Sequence, residues 1–180
     1  MAVGVYLSGG ADSALLLYKQ TEPVVCLTVA SEQRQHNIGA SRRVVDWIKQ
    51  NTDVRILEHC VVIAPSELER VEERRYYRGE LNKRHDITQW ISGKTMNPPA
   101  KLRHHEQRKL DRDAQIPQPE NNPFYNLNKL DIYSEYNNLN ILDLWHTTVS
   151  CEVSDPPCNN CWWCMERNWA YESFRSLQEC

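Results

Sequence analysis

The stretch Ala2-Val3-Gly4-Val5-Tyr6-Leu7-Ser8-Gly9-Gly10-Ala11-Asp12-Ser13 decides how the rest of the chain is read. Residues 2–7 are a short apolar run with β-forming side chains, and Ser8-Gly9-Gly10 follows without a spacer. Residues 14–20 are leucine-rich and favour helix, until Pro23 ends the unit. In a parallel sheet the ligand crevice lies beyond the carboxyl ends of the strands, which is where this glycine turn falls.

Reading onward, residues 24–29 form a second buried-strand candidate, and residues 38–50 place Ile38, Val44, Val45 and Ile48 on one helical face. A third strand is expected near 54–63, a charged helix over 67–84 and a fourth strand over 87–92, ending at Gly93 before Asn97-Pro98-Pro99. This alternation predicts an α/β fold, a parallel sheet with helices on both faces. Residues 101–122 are polar and carry Pro117 and Pro119, so a helix of modest stability followed by an exposed loop is expected there. The 180 residues fit one domain over 1–180, with a cysteine-rich segment over 150–165 as an appendage of the same core.

No stretch approaches the roughly 20 apolar residues of a membrane span, and the N-terminal apolar run is too short for a signal peptide. A soluble, cytoplasmic protein with no membrane partner is therefore expected. The net charge of -3 disfavours nucleic-acid binding through the overall field. Basic stretches at 70–84 and 101–112 keep a nucleic-acid module as an outlying reading, although acidic residues interleave both.

The loop itself suits an anion. Gly9 and Gly10 let the backbone approach closely and turn successive N–H groups toward phosphate oxygens, while the helix beginning near Asp12 adds its positive end. Ser8 and Ser13 carry hydroxyl donors. Asp12 would be repelled by a triphosphate unless a cation such as Mg2+ stood between them. The same residues also read as a tight turn with Asp12 or Ser13 as helix N-cap. Gly93-Lys94-Thr95 is not a Walker A end, because the required upstream glycine position is Thr88.

Four of the seven cysteines crowd into Cys151, Cys158, Cys161 and Cys164, the last three in consecutive C-x2-C steps. Four thiolates close a tetrahedron around Zn2+, and a site filled by protein ligands is structural. Disulfides and an iron–sulfur cluster are the rivals, as is a zinc knuckle stacking bases on Trp162 and Trp163. Those tryptophans are otherwise expected to cover the core. Cys26 and Cys60 read as buried strand thiols and Cys180 as a free tail.

Ser8-Gly9-Gly10-Ala11-Asp12-Ser13 resembles the SGGxDS signature of the PP-loop (N-type) ATP pyrophosphatases. With Cys151, Cys158, Cys161, Cys164 and Arg167, the chain further resembles the 7-cyano-7-deazaguanine (preQ0) synthase family, QueC. Gln33-Arg34-Gln35-His36, Ser41-Arg42 and Asn128-Lys129-Leu130-Asp131 extend that likeness. It is thin over 66–122, where the family's Pro-Gly-Arg-Asn segment is missing. The chain is also shorter than typical members.

The resemblance implies an adenine nucleotide alpha hydrolase-like, Rossmann-like fold that binds ATP through Ser8, Gly9, Gly10, Ala11, Asp12 and Ser13. It implies that Asp12 and Lys129 are catalytic, that Arg34, His36 and Arg42 are candidates for substrate or phosphate contacts and that the four cysteines hold zinc. The implied reaction adenylates 7-carboxy-7-deazaguanine and uses ammonia to form an amide and then the nitrile. Partners would be that small deazapurine and ammonia, with a homodimer allowed. By residue type alone, Lys129, Arg34, His36 and Arg42 read equally as surface residues, and His104 and His105 as a solvated helix face or a substrate lid. Another ligase or tRNA-modifying enzyme of the same superfamily is the alternative.

Overall fold

Four parallel strands lie in the order β3-β2-β1-β4: β1 Ala2–Tyr6, β2 Val24–Ser31, β3 Ile56–Ala64 and β4 Ile87–Ser92. The computed structural model describes residues 1–96 and 121–179. The expected helix and loop over 101–122 therefore fall almost wholly outside the described residues, as do His104, His105 and Cys180. β1 and β2 are inner strands, and their nearly unbroken apolar runs reflect burial on both faces.

Helices flank the sheet. Between the strands run α1 Ala11–Tyr18, α2 His36–Asn51 and α3 Glu69–Arg84, with a single 3-10 turn at Glu32–Arg34. After β4 come α4 Lys129–Asn138, α5 Leu142–Thr147 and α6 Trp162–Gln178. The larger core joins β1 side chains Val3 and Val5 to Leu15 and Leu17 of α1, Val44 and Ile48 of α2, Tyr136 of α4 and Trp145 of α5. A smaller core on the other face packs Leu81 and Tyr77 of α3 against Val25, Leu27 and Val62. All four residues expected on the inner face of α2 are buried.

α5 was not expected, and α6, which the residue pattern alone places over 165–177, begins at Trp162, inside the cysteine segment. Cys161 is the N-cap residue of α6 and Cys164 lies in its first turn, so one helical turn brings the two thiols together. Cys26 is buried as expected, whereas Cys60 on the edge strand β3 is only half-buried. Trp162 is buried, but Trp163 lies on a cleft wall instead of covering the core. Among the described residues, no helix is long and apolar enough to cross a membrane.

The strand order places β1 between β2 and β4, so the chain reverses its direction of sheet growth beside β1. The crevice at such a switch point is the usual ligand position in open α/β sheets.

Candidate functional site

A cleft of about 630 Å³ opens at the carboxyl ends of β1 and β4. Ser8, Gly10, Ala11, Asp12 and Ser13 form its floor. Gly9 has φ +81°, and a Cβ there would lie 2.6 Å from Ala40 Cβ and 2.7 Å from the Ser41 amide nitrogen. Both handedness and space therefore require glycine. Gly9→Ala should cost on the order of 2 kcal/mol or more through left-handed strain and displacement of α2; an unchanged urea midpoint would refute that packing. Gly93, just after β4, comes as close on the other side, since its Cβ would lie 2.7 Å from the Asp12 carbonyl.

The serines knit the turn. Ser13 Oγ donates to the Gly10 carbonyl at 3.0 Å and accepts from the Ser8 amide at 3.2 Å. Because its proton is so placed, the Ser8 hydroxyl donates to Ser13 Oγ at 3.0 Å and accepts from the Gly10 amide at 3.3 Å. Gly10 is the N-cap of α1 and has no side chain to cap it, which leaves first-turn N–H groups for a ligand. Beneath the loop, neutral His59 donates to Thr28, which donates to the Leu7 carbonyl at 2.6 Å. Burial and then the charges of Arg42 and Lys49 hold His59 down to about 4, so it stays neutral and keeps this chain of bonds.

α4 clamps the start of α1 at two points. Lys129 Nζ bonds both Asp12 carboxylate oxygens at 2.6 Å, with the lysine side chain 6% exposed and the aspartate 21%. Two turns later the Tyr136 hydroxyl donates to the Ala11 carbonyl at 2.7 Å, and burial followed by the Asp12 charge raises Tyr136 well above its usual value. A capping box between Asn128 and Asp131 fixes where α4 starts, and thereby where Lys129 stands. Sequence reasoning missed Tyr136, although its i,i+7 spacing from Lys129 places both on one helix face.

Arg34, His36 and Arg42 do not line this cleft. Arg34 bridges Glu152 at 2.6 Å and Glu67 at 3.3 Å, and His36 Nε2 donates to the Cys151 carbonyl at 3.1 Å. Arg42 is exposed on α2. The cleft instead takes Arg70 and Arg74 from α3, Asn37 from α2 and Tyr125 from the segment before α4. Thr95, on the wall beyond β4, keeps a buried hydroxyl that has no hydrogen-bond partner among the described residues.

The sulfurs of Cys151, Cys158, Cys161 and Cys164 all lie within 4.8 Å of one another, with separations of 3.5 Å for 151–158, 3.5 Å for 161–164 and 3.9 Å for 151–161. A tetrahedron of thiolates around zinc has sulfur–sulfur edges of about 3.8 Å. This cluster can hold a metal ion such as zinc. A cubane iron–sulfur cluster interposes iron and sulfide between its thiolates and spreads them further apart. None of the four forms a disulfide. Burial opposes ionisation of Cys151, yet backbone N–H groups of Cys158, Ser154 and Val153 outweigh it and bring the thiol down to about 6. Burial and then the Cys161 thiol push Cys164 up to about 12.

The cysteine cluster and the glycine loop touch. Val149 donates to the Gly9 carbonyl at 3.0 Å, and Cys151 and Cys164 share a small buried cluster with Val149 and Ala40, the residue against Gly9. Cys151 also lines the cleft. No protein-family model matches this chain, and no curated protein matches it significantly.

Proposed function

We propose that this chain is an AMP-forming ligase that adenylates 7-carboxy-7-deazaguanine and passes the activated carbon to ammonia. The observation that carries this reading is the Ser8–Ser13 loop, set at the switch point with Gly9 locked in a left-handed conformation and the uncapped start of α1 open to the cleft. In the adenylation step a carboxylate oxygen bonds to the α-phosphorus as the bond to the bridging oxygen breaks, and pyrophosphate leaves with the electron pair. Ammonia then bonds to the carbonyl carbon, AMP departs with its oxygen and a proton passes to solvent. In a second round the amide oxygen is adenylated, and loss of AMP with the nitrogen-bound protons leaves the nitrile.

Loop amides and Ser8 would hold the departing pyrophosphate, and Lys129 would stabilise charge as it develops. Asp12 is the carboxylate that would hold Mg2+, which when bound neutralises phosphate charge. The four cysteines would hold a structural Zn2+. Purified protein given ATP, Mg2+, ammonia and 7-carboxy-7-deazaguanine should release AMP and pyrophosphate with an amide or nitrile visible by mass spectrometry. ADP as the nucleotide product would overturn the proposal. AMP formation with another acid only would move the chain to a different ligase of the same superfamily.

A further inference from the structure

The cleft is lined from both faces of the sheet, and the two sides differ in charge. From the α1 and α4 side come Asp12 and Lys129, whose charges cancel in a bidentate pair. From the α3 side come Arg70 and Arg74. Arg70 is neutralised by Glu67 at 2.9 Å. Arg74 forms no ion pair among the described residues, and its charged neighbours Arg70 and Arg78 are both cations.

Arg74 is nevertheless held in place. Its guanidinium carbon sits 5.4 Å from the centre of the Tyr6 ring, within cation–π range. Tyr6 in turn stacks on Trp90 with ring centres 5.0 Å apart, and Trp90 Nε1 donates to Asn82 Oδ1 at 2.7 Å. A half-buried, unneutralised cation is electrostatically costly, and burial together with Arg70 lowers its pKa from the usual value. An arriving anion would relieve that cost.

Resting on the ligase reading above, we infer that Arg74, braced on the Tyr6 ring, is the cleft residue that receives the carboxylate of the acceptor. The attacking oxygen and the leaving pyrophosphate lie roughly in line across the phosphorus in phosphoryl-type transfers. A cleft that grips pyrophosphate at the start of α1 must therefore offer the acid from elsewhere, and Arg74 enters from the opposite face of the sheet. The planar guanidinium pairs with a carboxylate through two parallel hydrogen bonds, a match that an ammonium group lacks.

The test measures binding of 7-carboxy-7-deazaguanine and of 7-deazaguanine, which lacks the carboxylate, by titration calorimetry without nucleotide, and of Mg-ATP separately. Wild-type protein should prefer the acid, and Arg74→Met, which keeps the stem on Tyr6, should erase a preference of about 10- to 100-fold while leaving Mg-ATP affinity unchanged. Arg74→Lys, which keeps the charge but not the fork, should restore only part of it. A preference retained in Arg74→Met, an equal loss of Mg-ATP affinity, or no preference in the wild type would each overturn the assignment. Failure of the wild type to bind Mg-ATP would instead sink the ligase reading, and the nucleotide-free titration keeps the two failures apart.

Discussion

Asp12→Ala is expected to lose AMP formation and, in the same stroke, about 3 kcal/mol of folding stability, the low end for breaking a buried ion pair. From sequence, removing a metal-binding carboxylate looks harmless to the fold. The structure changes that expectation, because the Lys129 side chain is 6% exposed and both carboxylate oxygens hold its ammonium group. Removing Asp12 strands a buried cation at the first residue of α4. Asp12 keeps 21% of its side-chain surface, so water reaches part of the pair and the upper range does not apply. A double-mutant cycle separates the two roles. Asp12→Ala with Lys129→Met should recover most of the stability, since no charge remains to be desolvated, yet stay inactive. Urea unfolding read beside AMP release checks both halves. A stable, inactive single variant would mean that Lys129 finds another partner, and an active one would remove Asp12 from the chemistry.

The same pair marks what could and could not be read from residues alone. Strands β1 and β2 were legible because inner parallel strands are buried on both faces and appear as continuous apolar runs. The buried face of α2 was legible from the spacing of Ile38, Val44, Val45 and Ile48. α5 was not, since six residues are too few to show a period. Arg74 sits in a run of arginines and glutamates that resembles any solvated helix, and only the placement of α3 against Tyr6 sets it apart. Arg34 and His36 stand out by residue type, but the structure uses both to tie the start of α2 to the segment carrying Glu152 and Cys151. The four cysteines were legible as a set because C-x2-C spacing is itself a statement about turns. Their contact with the glycine loop was not, because Val149 and Gly9 are 140 residues apart in the chain.

That contact gives the metal a predicted reach beyond its own ligands. Cys161→Ser should abolish tight zinc binding, because three thiolates and a hydroxyl close the site poorly and structural zinc contributes folding free energy directly. Cys161 is the N-cap of α6, and its sulfur lies 3.5 Å from that of Cys164 and 3.9 Å from that of Cys151, so its loss unties α6 from the irregular segment before it. Val149, which holds the Gly9 carbonyl, and the Cys151 carbonyl, which holds His36, both belong to that segment. Hydrogen exchange should therefore rise first over 148–166 and then, to a smaller degree, over 8–13, and AMP formation should fall about 10- to 100-fold, as for residues that orient a site rather than react in it. Removing zinc from the wild type with a chelator should reproduce the pattern, and restoring the metal should reverse it. Equal zinc content in Cys161→Ser would refute the four-thiolate centre. Loss of zinc with unchanged protection over 8–13 would confine the metal to the C-terminal helix and break its link to the glycine loop.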